Sequence, residues 1–194
     1  PLLRPGSLAL GAGAKGRAID LVASGLSGRG GFAINAGGDI LARGLNADGE
    51  PWRIGIRHPR RDGELLTSLR ISDAAICTSG DYERPQAAGD GHHIRNPISG
   101  ISAGATVSVT VIAPTAVVAD ALSTAVFVLG PDVGLEVLNR EGVDGLIVGP
   151  GLNIAATAGM ERYASCQAAW PQFRLPARCF AFRPPPPRRS RTAR

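Results

Sequence analysis

The sequence predicts an α+β fold: a mainly antiparallel sheet with packed helices. Two observations carry that prediction. Between residues 31 and 79 five short β-type runs follow one another at close spacing, leaving no room for the dozen or more residues that a parallel crossover needs. Helical periodicity, in contrast, is confined to one stretch before these runs and to the segment from Thr115 onward, so the order is helix, strands, helices, strands.

Each element has a local reason. In AKGRAIDLVASGLS (14–27) the apolar positions Ala18, Leu21, Val22 and Leu26 recur at helical spacing. The runs GFAIN (31–35), DILARGL (39–45), WRIGIRH (52–58), LLTSLRIS (65–72) and AAICTS (74–79) are rich in β-branched and aromatic residues and are bounded by Gly, Asp and Asn. A polar, glycine-rich loop (80–91) leads to HHIRNPISG and then to the alternating strand ATVSVTVIA (105–113). Thr115 is the expected N-cap of a helix over VVADALSTAVFVLG, which Gly130-Pro131 ends. A second helix over DVGLEVLNRE, a strand in VDGLIVG and a short hairpin complete the order.

With 194 residues, 44% of them apolar and 19% charged, the chain is long enough for one domain with a sizeable core. The net charge of +5 would suggest nucleic acid or an anionic membrane as partner. The excess is local, however: the stretch from Arg174 to Arg194 holds seven arginines and no acid, and residues 1–173 carry a net charge of −2. The reading is a domain over 1–173, with no nucleic acid expected as partner, and a disordered basic Pro/Arg-rich tail over 174–194. An arm for anionic lipid or RNA stands beside a solvated extension as a reading of that tail. Cys77, Cys166 and Cys179 give an odd count without CxxC spacing, against both a zinc knuckle and a disulfide framework. Cys77, inside an apolar strand, is expected in the core. No run of about 18 apolar residues suggests a membrane span. The chain begins at Pro1 with no visible signal segment and reads as a mature or truncated form.

One carboxylate is out of place. Across residues 116–130 the polar positions are Asp120, Ser123 and Thr124, which share one helix face, and the segment holds no Lys, Arg, Glu or Gln. Two readings stay open: a narrow solvent stripe, or a buried carboxylate that is paired or binds a cation. Oxygen ligands one turn apart suit a hard ion such as magnesium.

Gly11, Gly13 and Gly16 satisfy GxGxxG, with Asp39 further on, but proline-broken LLRPGSLAL makes a poor buried first strand and antiparallel spacing follows, which argues against a dinucleotide fold. The same glycines can bring backbone N–H groups close to a phosphate. NAGGDI (35–40), TSGDYER (78–84) and DGHHIRNPISG (90–100) each combine glycine with hydrogen-bonding side chains. Adjacent His92 and His93 in an extended segment point to opposite faces, so one of them can reach a pocket as acid or base but the two do not form a metal pair.

Taken in order, GAGAKGRAID, NAGGDI, CTSGDYER, HHIRNPISG and VTVIAPTAVVADALSTAVFVLG resemble the ApbE family, the FAD:protein FMN transferases. The resemblance runs from about Ala9 to about Gly159. It implies an ApbE-like, T-fold-related domain that forms the C-terminal portion of the family's catalytic domain. It further implies a magnesium-dependent enzyme that cleaves FAD and attaches FMN through a phosphoester to a Ser or Thr of a target flavoprotein of electron-transport type, releasing AMP. Carried over residue by residue, the metal ligands fall on the Ala14 carbonyl, Asp120 and Thr124. Lys15 and Gly16 match the family's AKG, and Asn35, Gly37, Gly38 and Asp39 its NxGGD loop. Ser79, Gly80 and Tyr82 match its SGDY stretch. His93, Asn96, Pro97, Ser99 and Gly100 match its His-Ile-x-(Asp/Asn)-Pro-x-(Ser/Thr)-Gly. These would line the flavin and diphosphate site, with His93 and Asp120 as the catalytic candidates. The implied location is the bacterial cell envelope or periplasm, near the membrane through a lipoprotein anchor that this chain does not carry. Ala9 stands where the family has an acid, Ala12-Gly13 where it has Gly-Ile, and the family's N-terminal portion has no counterpart before Pro1. Hydrolysis of FAD to FMN and AMP, and flavin binding without turnover, are the alternatives.

Overall fold

The computed structural model describes residues 11–83 and 92–164. The expected tail (174–194), Cys166 and Cys179, Ala9 and residues 84–91 of the predicted loop lie outside this range.

The chain runs through α1 (Gly11–Gly25), β1 (Phe32–Ala36), β2 (Asp39–Arg43), β3 (Trp52–Arg57), β4 (Leu65–Ile71), β5 (Ala74–Gly80), β6 (Ser108–Ala113), α2 (Ala116–Leu129), α3 (Pro131–Glu141), β7 (Asp144–Val148) and β8 (Ile154–Ala156), and then a 3-10 helix over Ala158–Tyr163. Six strands form one sheet in the order β1-β2-β5-β6-β7-β8, and β3 pairs with β4 in a separate ribbon. Every pairing between these strands is antiparallel. The architecture is the α+β one that the close strand spacing predicts.

Both faces of the large sheet are covered. Period-2 alternation sends Leu41, Ala75, Cys77, Val109, Val111 and Ile147 to one face, where Ile19 of α1, Ala119, Val126 and Phe127 of α2, and Leu138 of α3 pack on them. The intervening residues, among them Ile76, Ile112, Leu146 and Val148, meet Ile54 and Ile56 of β3, Leu69 and Ile71 of β4, and Met160 of the 3-10 helix. This sandwiching explains why every residue of β6 and β7 is buried. The 3-10 helix is tied to β7 through Asp144, whose carboxylate accepts hydrogen bonds from Thr157 and Tyr163 and pairs with Arg162.

Two boundaries, the starts of α1 and β6, differ from expectation, and the start of α2 falls after Thr115 as expected but is capped by a different group. α1 starts at Gly11, ahead of the predicted Ala14, where the amides of Gly13, at φ of 122°, and Gly16 donate to Asp120 in α2. Thr115 has the extended backbone of an N-cap but makes no side-chain cap bond. The amides of Ala116 and Val117 donate instead to Asp20 of α1, at 2.8 and 2.9 Å. β6 starts at Ser108 and not at Ala105, since Thr106 donates its hydroxyl to the Phe127 carbonyl and Val107 its amide to Val148. Gly130 closes α2 and opens α3 with φ of 84°, a left-handed value that favours glycine.

Candidate active site

The site is built where α1 crosses α2. The crossing is close enough that a Cβ placed on Gly16 would lie 2.3 Å from the Ala116 carbonyl oxygen, so only glycine fits there. One turn beyond Ala116, Asp120 is 5% exposed, and its Oδ2 accepts the amides of Gly13 and Gly16, both at 3.0 Å. The burial of this charge is thus offset by two backbone amides near the start of α1 and by the positive end of that helix's dipole. The solvent-stripe reading of Asp120 is set aside, and Ser123 on the same face is buried as well.

Lys15 sits beside this carboxylate and pairs with Asp39, which is 2% exposed at the start of β2. Partial burial works against its charge, but the Asp39 hydrogen bond and the charges of Asp39 and Asp120 outweigh it and raise the Lys15 pKa above the ordinary lysine value. Lys15 therefore stays cationic at neutral pH. Burial, together with the nearby Asp39 and Asp120, pushes the Cys77 thiol up, so it is a protonated core group, as its strand pattern suggests.

A row of hydroxyls continues the wall. Ser79 Oγ lies 2.9 Å from Ser123 Oγ and 3.1 Å from Thr124 Oγ1, while Ser123 and Thr124 both donate to the Asp120 carbonyl oxygen. Ser79, Asp120 and Thr124, together with Gly11 and Lys15 at the start of α1, border a cleft of about 460 Å³, with Ser123 buried behind them, a volume within the range usual for small-molecule sites.

The structure brings Lys15, Gly37, Ser79 and Gly80 to this cleft, together with His93, Asp120 and Thr124. The other predicted residues lie around it. Gly16 forms the helix crossing. Asn35 shapes the β1–β2 turn by accepting the Gly38 amide at 3.0 Å, and Gly37 and Gly38 take φ of 64° and 96° there. Tyr82 packs its ring on Gly80, and burial raises its phenol pKa against the opposing effect of a Ser108 hydrogen bond. Pro97, Ser99 and Gly100 are exposed on a turn that Asn96 organises, its side chain accepting the Ile98 and Ser99 amides. Ala14 lies in the first turn of α1, exposed and outside the cleft wall.

The adjacent histidines separate as expected of neighbours on opposite faces. His92 is buried, with Nε2 2.7 Å from the Ala103 carbonyl oxygen and Nδ1 accepting the Ile94 amide, and its ring meets Phe127 edge-on. Those partners select the neutral tautomer protonated at Nε2. His93 is exposed on the cleft wall. Sequence reasoning missed Glu83, Arg95 and Val128, which also line the cleft, and the cap formed by Asp20. Only the three-dimensional approach of distant elements reveals these.

Residues 2–147 match the ApbE family. This chain belongs to the ApbE family. Among solved structures it is similar to the ApbE protein of Thermotoga maritima, with 36% identity and a TM-score of 0.75 over 82% of this chain and 54% of that one. It is also similar to the flavin transferase ApbE of Vibrio cholerae, with 30% identity and a TM-score of 0.70 over 80% and 52%. Among curated proteins, the FAD:protein FMN transferases of Vibrio cholerae and Escherichia coli K12 are 35% and 38% identical over 159 and 117 residues. Those matches cover 78% and 58% of this chain but 46% and 33% of the relatives. The ApbE-family chain described here thus spans about half the length of its relatives or less.

Proposed function

We propose that this ApbE-family chain takes part in magnesium-dependent transfer of FMN from FAD to a Ser or Thr of an acceptor flavoprotein, with release of AMP. The observation that carries the reading is Asp120: a buried carboxylate at a helix crossing, facing a cleft together with Thr124 and Lys15.

The residues fit the ion. Among the described residues no group of three His, Cys, Asp or Glu converges as a metal cage, so a cation here would be held by one carboxylate, neutral oxygens and substrate phosphate, the mode magnesium favours. Asp120 and Thr124 offer those oxygens at the cleft. The Ala14 carbonyl, the third oxygen implied by the family resemblance, belongs to the first turn of α1 between the cleft-lining residues Gly11 and Lys15. When bound, magnesium neutralises charge on the diphosphate and on the departing AMP.

The chain's own groups handle the rest. Lys15 and the first turn of α1 draw the FAD diphosphate to the cleft, and the wall of β5 and α2 orients it. The acceptor hydroxyl oxygen forms a bond to the phosphorus of the FMN half while the bond from that phosphorus to the AMP oxygen breaks. His93 takes the hydroxyl proton, and most of the acceleration comes from positioning and charge stabilisation. The cell envelope is the location we infer with this activity.

The test is incubation of the chain with FAD, magnesium and an acceptor flavoprotein domain bearing a Ser/Thr flavinylation site. Gain of one FMN in acceptor mass with stoichiometric AMP is the expected result. AMP without the mass gain would replace transfer by hydrolysis, and FAD binding with neither product would reduce the chain to a flavin-binding module.

A further inference from the structure

The carboxylate of Asp20 has no role in the chemistry just described, yet it makes one of the longest-range polar contacts at the site. Asp20 follows Gly16 by one turn on α1, and its two oxygens accept the first two amides of α2, from Ala116 at 2.8 Å and Val117 at 2.9 Å. In return Asp120 of α2 accepts two amides near the start of α1, those of Gly13 and Gly16. Each helix is thus capped by a carboxylate of the other. Ala116 is pinned further: its carbonyl oxygen faces Gly16 and accepts the Cys77 thiol at 3.7 Å.

Spacing within a helix is rigid, so where Ala116 sits decides where Asp120 and Thr124 sit, one and two turns later. We propose that Asp20 is a positioning residue of this site: it fixes the register of α2 against α1, so that the Asp120 carboxylate and the Thr124 hydroxyl face the cleft as a pair of oxygen ligands. The inference rests on the reading above that these two hold magnesium. It asks of Asp20 only that it orient them, as groups behind metal ligands generally do.

The replacement Asp20→Asn keeps the shape but turns one acceptor oxygen into an NH2 that confronts an amide donor. Asp20→Ala removes both acceptors, and Asp132→Ala, in the first turn of α3, serves as a control that removes a helix-end charge away from the site. Magnesium binding to the full chain, followed by calorimetry, is expected to weaken about ten-fold or more in Asp20→Asn, as is usual when a ligand-orienting group is lost, and further in Asp20→Ala. It should be unchanged in Asp132→Ala. Amide hydrogen exchange over residues 11–17 should accelerate in the Asp20 variants, because Asp120 no longer reaches Gly13 and Gly16. Equal magnesium affinity with unaltered exchange in Asp20→Asn would overturn the proposal. So would a loss of thermal stability matching that of Asp132→Ala with magnesium affinity retained. If the wild-type chain binds no magnesium, the functional reading fails, and the exchange measurement alone decides whether Asp20 sets the position of Asp120.

Discussion

Gly16→Ala tests whether the helix crossing is as tight as the structure shows. The added methyl would lie 2.3 Å from the Ala116 carbonyl oxygen and 2.7 Å from the Val117 Cα, both backbone atoms that no rotamer change can move. Ordinary contact begins at 3.4 Å, so α1 and α2 must part by about 1 Å to relieve the overlap. That shift would carry the Asp120 bonds to Gly13 and Gly16 from 3.0 Å toward 4 Å, beyond hydrogen-bonding range. Overpacking costs about 1–3 kcal/mol, and two lost bonds to a charged group add about 1.5 kcal/mol or more each. Better helix propensity of alanine returns about 1 kcal/mol. The net is a loss of about 3–5 kcal/mol, or roughly 10 °C or more in melting temperature for a domain of this size. Gly25→Ala, in the same helix with no neighbour within 4 Å of the new methyl, is expected to be neutral or to stabilise by up to about 1 kcal/mol. Thermal unfolding followed by circular dichroism reads both. Equal melting temperatures for the two variants would refute the close crossing.

Two further substitutions separate chemistry from architecture. Asp120→Ala should abolish magnesium-dependent turnover of FAD, and because Asp120 also satisfies two amides of α1 it should cost about 3 kcal/mol of stability in urea titration as well; full activity would remove it from the metal site. Asp73, at φ of 52° beside the β2–β5 junction, has its pKa lowered chiefly by the Gly44 amide, against an opposing effect of burial, with smaller lowering by Ser72 and Arg43. A depressed folded pKa means that its contribution is present above the ordinary carboxylate pKa of about 4 and is lost as pH falls through the folded value. Denaturation midpoints of wild type and Asp73→Asn should therefore differ at neutral pH and converge in acid, and a gap that persists in acid would contradict the assignment.

What the sequence revealed, and what it hid, follows from the range of the interactions. The strands were legible because side-chain alternation and Gly/Asp/Asn turns are local, and the hairpins β1–β2, β3–β4 and β7–β8 followed from connections too short for a parallel crossover; the pairings β2–β5, β5–β6 and β6–β7 join segments far apart in the chain and were not dictated in that way. The burial of β6 and β7 on both faces was not legible, since it depends on the β3–β4 ribbon folding over the far side of the sheet. The ends of α2 at Thr115 and Gly130 were legible, but the groups that cap the helix starts were not, for the same reason. Thr115 looked sufficient as a cap, but the groups that reach the two helix starts, Asp20 and Asp120, come from about a hundred residues away in the chain. His93 at the cleft and His92 in the core were separable only as opposite faces; the buried partners of His92 decide which is which.

Asp120 was legible as a question before it had an answer. A carboxylate in a segment without Lys, Arg, Glu or Gln had to be either a thin solvent stripe or a compensated buried charge, and composition alone could not choose. The crossing chooses, because compensation comes from a helix start that only glycine allows to approach. The same geometry joins stability to chemistry: the amides that make burial of Asp120 tolerable are those of the turn that would meet a diphosphate. A carboxylate held this way is in place before any ion or substrate arrives. Pre-organisation of that kind lowers the cost of binding a hard cation with few protein ligands, and it makes the Gly16 contact and the Asp20 cap as much a part of the proposed chemistry as the residues that face the cleft.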